Sequence, residues 1–190
     1  MKNTEVNKHI EDEELVSRIV KNNDTDQFAV LYDRYSERVY QKCLSFAKSK
    51  SEAQDLTHDI FVLLFAKLRT FKGKSKFSTW LYSFTYNFCV NYVQRTRKKK
   101  NEKIVLTDNI NEFQKEEIEV RDEDIFELKA EKLAKALMKI DPKDKMILLM
   151  KYQDEVSIKE IAETLEIGES AVKMRLNRAK SRLIEIYKGL

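Results

Sequence analysis

Three glycines and one proline are all the punctuation this 190-residue chain contains. Strands joined by tight turns need more, because glycine supplies positive φ and proline pre-sets a turn corner. So little of either leaves one economical solution, helices joined by polar loops. Apolar residues recur at steps of three and four, the period of a buried helix face. The recurrence predicts helices over 13–22, from Asp24 or Thr25 to about 48, over 51–68 and over 77–97. In the second of these the repeating positions are Phe28, Leu31, Tyr32, Tyr35, Val39, Cys43 and Phe46. Ser51-Glu52-Ala53-Gln54 fits a capping box and is expected to open the third.

Charge divides the chain. Residues 101–132 hold eleven acids against five bases, a net of −6 in a protein whose total is +4. With that excess of acids, 101–124 reads as a mobile acidic linker. The expected architecture is all-α: a helical domain over 10–100, this linker, and a second helical domain over 125–190. In the second domain Asp141-Pro142 is a strong helix start, with Asp as N-cap and Pro at the first helical position. Ser157 can cap 158–166, and a last helix follows from about 170 to 187.

Two segments carry binding chemistry. Residues 67–100 contain ten Lys or Arg, no acid and eight aromatics. Cations track a phosphate backbone and flat rings stack on unpaired bases. The same pattern also fits a helix with a core stripe of Phe77, Leu81, Phe84 and Phe88 and solvated lysines. Asn87 and Asn91 lie along the edge of that stripe with Trp80, and Arg95 is one turn on. The second segment is a helix-turn-helix. Ile158, Ile161, Ala162 and Leu165 face Val172, Leu176, Ala179 and Leu183. The outward face of the last helix carries Ser170, Met174, Asn177, Arg178 and Ser181, flanked by Lys173 and Arg175. From Lys173 to Arg182 there are five cations and no acids. Cations near the amino end of a helix oppose its dipole, so a phosphate partner explains them better than stability does. An ordinary helical hairpin is the alternative. Between these segments, the third helix has a core stripe (Ala53, Leu56, Ile60, Leu63, Leu64) and a second stripe of Asp55, His58, Val62 and Phe65. Acids mixed with exposed apolar groups suit docking to a protein, although a helix buried on two sides fits the pattern equally.

Other chemistries find no support. There is no Gly-rich phosphate loop, no Ser/His/Asp set and no carboxylate pair beside a ligand set, so an enzyme is not expected. His9 and His58 are isolated, so neither metal nor cofactor is expected. Cys43 and Cys89, far apart in sequence inside apolar helical patterns, read as two reduced core thiols. The first residues lack the apolar run of a secretory signal, and no stretch is apolar enough to span a membrane, so a cytoplasmic protein is expected.

The order of these pieces resembles the sigma-70 family, in particular the small extracytoplasmic-function (ECF) RNA polymerase sigma factors. The motifs are AQDLTHDIF at 53–61, FKGKSKFSTWLYSFTYNF at 71–88, KIDPKDKMILLM at 139–150 and SIKEIAETLEIGESAVKMRLNRAKSRL at 157–183. They are similar to regions 2.2, 2.3–2.4 and 4. The resemblance implies docking on the β′ clamp helices and β flap of core RNA polymerase, with Asp55, Leu56, His58, Asp59, Phe61 and Val62 as the region 2.2 contacts. It implies capture of an unstacked base of the promoter −10 element by Lys74, Ser75, Lys76, Phe77, Ser78, Thr79 and Trp80, with Asn87, Asn91 and Arg95 along the helix. It implies reading of the duplex −35 element by Ser170, Lys173, Met174, Arg175, Asn177 and Arg178. An anti-sigma factor is a further implied partner. His58 and Asp59 stand where the family more often has Gln and Glu, Lys74 where it usually has an acid, and Ala171 where Thr is frequent. A helix-turn-helix repressor or activator acting without polymerase is the competing reading; such a protein has no use for the Phe-Ser-Thr-Trp segment.

Overall fold

The computed structural model describes residues 10–101 and 120–190. Among these residues every regular element is helical. The chain divides into two compact units, one ending at Cys89 and one beginning at Val90. No helix among the described residues is long and apolar enough to cross a membrane.

The first unit contains α1 (Asp12–Asn22), α2 (Thr25–Leu44), α3 (Lys50–Lys67) and a short 3₁₀ turn (Leu68–Thr70). A six-residue loop then leads to α4 (Phe77–Asn101), which runs beyond the unit's boundary. Asp24 caps α2 by accepting from the amides of Asp26 at 2.9 Å and Gln27 at 3.0 Å. The expected capping box at Ser51 is displaced. Ser49 is the N-cap of α3, accepting from the Glu52 amide at 3.1 Å, while the Glu52 carboxylate accepts from the Lys48 amide. Ser49–Glu52 and Ser51–Gln54 both satisfy the capping pattern, and the earlier one adds a half turn to the helix ahead of the buried Ala53 and Leu56.

Ring contacts fix the packing order. Phe28 meets Phe65 at 4.9 Å and Tyr32 meets Phe61 at 4.7 Å, so α2 and α3 run antiparallel. Tyr35 meets Phe77 at 5.6 Å and Cys43 meets Cys89 further along, so α2 and α4 run parallel. Leu15, Leu31, Val39, Ile60, Leu64, Phe77 and Leu81 form the core between the helices, all fully buried. One cation is buried with them: Lys42 lies 3.9 Å from the Tyr82 ring centroid and 3.4 Å from the Tyr86 hydroxyl. Its charge is accommodated by ring faces and a phenol oxygen.

In the second unit α5 (Asp122–Phe126), α6 (Ala130–Lys139), α7 (Pro142–Leu148), α8 (Ile158–Leu165) and α9 (Glu169–Lys188) surround one core. The helix that Asp141-Pro142 starts is α-helical only to Leu148 and widens to a π turn over Leu149–Gln153. Asp141 caps α7 ahead of Pro142, as its sequence predicts, accepting from the Lys143 amide at 2.8 Å. Ser157 and Glu160 form a reciprocal capping box at α8. α9 packs on α6, α7 and α8 through Val172, Leu176, Ala179 and Leu183. The expected linker is shorter at its C-terminal end than composition suggests. Val120 is buried and Asp122 is hydrogen-bonded within this unit, so 120–124 belongs to the fold. The remainder, 102–119, lies outside the described residues.

The turn between α8 and α9 is closed by a residue that does not favour it. Glu166 adopts φ 54°, and the Ile167 amide reaches back to the Ala162 carbonyl at 3.0 Å. This is the helix-ending loop in which glycine is usual, because a Cβ at positive φ is crowded. Glu166 is exposed, so its side chain loses little on removal. Glu166→Gly is expected to stabilise the second unit by about 1 kcal/mol, a Tm rise of roughly 4–8 °C in calorimetry. An unchanged or lower Tm would show that the turn carries no such strain.

Candidate nucleic-acid and polymerase interface

α3 presents a mixed surface. Asp55, His58 and Asp59 are exposed and Val62 is 61% exposed, all on one side of the helix. Two residues read as contacts on the same helix are not on that surface: Leu56 is 2% and Phe61 3% exposed. They are core residues, and Phe61 reaches the surface only indirectly, by supporting the Tyr32 ring. Two residues with helical core spacing point outward instead. Tyr32 is 44% and Leu63 38% exposed. They leave further apolar surface open, one on α2 and one on α3. Sequence could not separate them from core because both fall at core spacing on their helices.

The start of α4 is the second surface. Lys74 and Lys76 are exposed, Ser75 and Ser78 half-buried. Gly73 turns the loop at φ 66°. Phe77 is fully buried and Thr79 nearly so; of the residues implied as contacts here, these two have their side chains in the core. Trp80 is half-buried and stacks on Phe84, centroids 5.6 Å apart and planes at 23°. Phe71 also approaches it, centroids 5.4 Å apart and planes tilted at 53°. The tryptophan is therefore fixed by rings while part of it remains open to solvent. A carboxylate from a distant helix sets where α4 begins. Glu13 of α1 accepts from the Phe77 amide at 2.8 Å, satisfying a donor that no neighbouring side chain reaches. No local pattern in 71–80 reveals that cap. Asn87 donates to the Ser83 hydroxyl at 3.4 Å and is exposed. Asn91 and Arg95 are exposed further along the same helix.

The outer face of α9 is the third. Ser170, Lys173, Arg175 and Arg178 are exposed, Met174 is 51% exposed and Asn177 is half-buried. All six predicted residues thus share the helix whose opposite face is core. Beside them runs an open groove of about 730 Å³, lined in part by Lys151, Tyr152, Lys173, Asn177 and Lys180. Asp122 crosses to it, accepting from the Tyr152 hydroxyl at 2.7 Å and pairing with Lys180 at 2.9 Å. Those two partners hold the Asp122 carboxyl below its ordinary range, the tyrosine bond contributing most. Burial, then the Asp122 bond, pushes the Tyr152 phenol far up. Asp144 similarly fixes Arg182 at 2.7 Å and raises its guanidinium. The step of Lys173, Asn177 and Lys180 along one face is legible in sequence. Lys151 is brought beside them only by the fold.

The arrangement can therefore offer a protein-docking face, a ring-backed cationic loop and a cationic duplex-reading helix. Two family models match the chain. The Sigma-70 region 2 family model matches residues 31–99, and the Sigma-70, region 4 model matches residues 130–183. The ECF RNA polymerase sigma factor SigW of Bacillus subtilis (strain 168) is 30% identical over 173 residues, covering 86% of this chain and 90% of that protein. The ECF RNA polymerase sigma-E factor of Haemophilus influenzae is 24% identical, covering 90% and 93%. CnrH, solved with the cytosolic domain of CnrY, shares the fold with a TM-score of 0.61 at 18% identity, covering 94% of this chain and 97% of that one. Bartonella quintana RpoE, solved with the anti-sigma factor NepR, shares it at 0.57 and 19% identity, covering 85% and 96%. Both regions occur in order in one chain, and SigW matches it at 30% identity over 86% of its length: the chain belongs to the sigma-70 family, as one of its extracytoplasmic-function RNA polymerase sigma factors.

Proposed function

We propose that this chain directs promoter-specific transcription initiation by dividing three tasks among its three surfaces. The exposed face of α3, extended by Tyr32, docks on the clamp helices of core RNA polymerase. The loop before α4 and the open part of Trp80 hold an unpaired base of the −10 element. α9 reads the −35 duplex in a major groove, and its unit also meets the β flap. The observation that carries this reading is Trp80: a ring held rigidly by Phe71 and Phe84, partly open, beside exposed Lys74 and Lys76. A transcription repressor has no use for such a group.

Energetically, extruding a base costs a few kcal/mol, and stacking on an aromatic returns about 1–3 kcal/mol. Cationic contacts supply the remaining, salt-dependent attraction. The protein performs no bond-making step itself, so it is not an enzyme, and its work with RNA polymerase places it in the cytoplasm. RpoE, of the same fold, was solved with an anti-sigma factor; a partner of that kind is proposed here too.

The test is reconstitution with bacterial core polymerase and assay of promoter-directed transcription. A stable complex and initiation from discrete promoters are expected. Absence of both overturns the proposal. Within it, Arg178→Ala is expected to weaken −35 duplex binding by about 1–3 kcal/mol and leave core-polymerase affinity unchanged. Equal loss of polymerase binding would remove α9 from the DNA-reading role.

A further inference from the structure

Cys43 and Cys89, separated by 46 positions, meet in the first unit with their Sγ atoms 3.9 Å apart. One is on α2 and the other on α4, and both are fully buried. They are not joined in the structure. Nothing in promoter reading or polymerase docking uses them. We propose that the pair is a modification site, a dithiol that a small hydroperoxide converts to a disulfide tying α2 to α4.

The geometry supplies an attacking and a resolving sulfur. Cys89 Sγ–H donates to Cys43 Sγ, and that bond lowers the Cys43 thiol's pKa against the upward pull of burial; the Thr57 hydroxyl acts in the same direction. Cys43, the sulfur that accepts this bond, is assigned the attack. Its sulfur takes one peroxide oxygen as the O–O bond breaks, giving a sulfenic acid, and the departing hydroxide collects the thiol proton as water. Cys89 sulfur then attacks Cys43 sulfur. The S–O bond breaks, and the second hydroxide leaves with the Cys89 proton as another water. Both sulfurs are oxidised by one electron each and both peroxide oxygens are reduced by one each. A disulfide needs the sulfurs at about 2.05 Å, so they must approach by roughly 2 Å, a movement of side-chain rotation and small helix shift. Complete burial selects the oxidant class: hydrogen peroxide can enter between helices, whereas a glutathione-sized disulfide cannot. The crosslink joins the helix carrying Tyr32 to the helix carrying Trp80, stiffening the platform that holds both.

The experiment treats the folded full chain with hydrogen peroxide and follows intact mass, peptide linkage and thermal melting. Met138 and Met174, 76% and 51% exposed, serve as internal clocks of oxidant dose. Expected are loss of two hydrogens, a Cys43–Cys89 linked peptide pair, reversal by dithiothreitol and a Tm rise of roughly 10 °C. Cys89→Ser, which keeps a donor beside Cys43 but cannot resolve it, should gain one oxygen at Cys43, labelled by dimedone added as the chain is denatured. If that chain fails to fold, the same denaturing dimedone quench at early times in the oxidation of the unsubstituted chain reads the same step. Thiols that stay intact after both methionines have become sulfoxides overturn the proposal. So does a product that is a sulfinic acid or an intermolecular dimer, or a disulfide that forms only in denaturant sufficient to unfold the chain.

Discussion

Phe77→Ala is expected to lower the stability of the first unit by about 3–5 kcal/mol, the usual cost of emptying a buried aromatic site. In a domain of this size that is a Tm loss of roughly 15 °C or more, visible as early melting in circular dichroism. The reason is position. Phe77 is fully buried and lies against Tyr35 at 5.6 Å, Phe71 at 5.5 Å and Trp80 at 5.9 Å. Removing it also loosens the first turn of α4, where Glu13 holds the helix start. Phe77→Leu, which keeps most of the volume, should recover most of the lost stability. An alanine variant with unchanged Tm and defective promoter opening would return Phe77 to the DNA surface.

Trp80→Ala is the largest functional effect expected. The open part of this ring is assigned to a displaced base, and stacking of that kind is worth about 1–3 kcal/mol, so open-complex formation should fall roughly tenfold or more. Closed-complex formation, which rests on α9 and on polymerase contacts, should change little. A template with a premelted −10 bubble should restore initiation, because the cost of separating strands has then been removed. The variant's Tm must be measured alongside, since Trp80 also stacks on Phe84. Without rescue by the bubble, Trp80 acts through packing alone. The two substitutions, three positions apart, thus separate core from contact on a single helix.

Much of this protein is legible without coordinates. The all-helical class follows from scarce glycine and proline, and the helix starts at Asp24, Asp141 and Ser157 follow from local capping chemistry. The outward face of α9 is legible because one side of that helix is aliphatic and the other cationic. α3 and α4 are different. Periodicity puts Leu56 and Phe77 in core stripes, whereas the family resemblance implies them, with Phe61 and Thr79, as contacts; all four are buried. Residues on equivalent spacing, Tyr32 and Leu63, remain partly open. The start of α3 at Ser49 rather than Ser51 is a similar case, since two overlapping boxes are locally equivalent.

What the sequence by itself determined is the local layer: helix class, most helix starts, the charge of α9 and the order of motifs that places the chain among sigma factors. These depend on residues within a turn or two of each other, where side-chain chemistry and helix period suffice. What only the tertiary structure decided is which aromatics face inward, that Glu13 caps α4 from 64 residues away, that Asp122 joins Tyr152 and Lys180, and that two distant cysteines touch. Each is a meeting of side chains on different elements. Burial free energy depends on the neighbours a side chain finds there, and no local pattern specifies them.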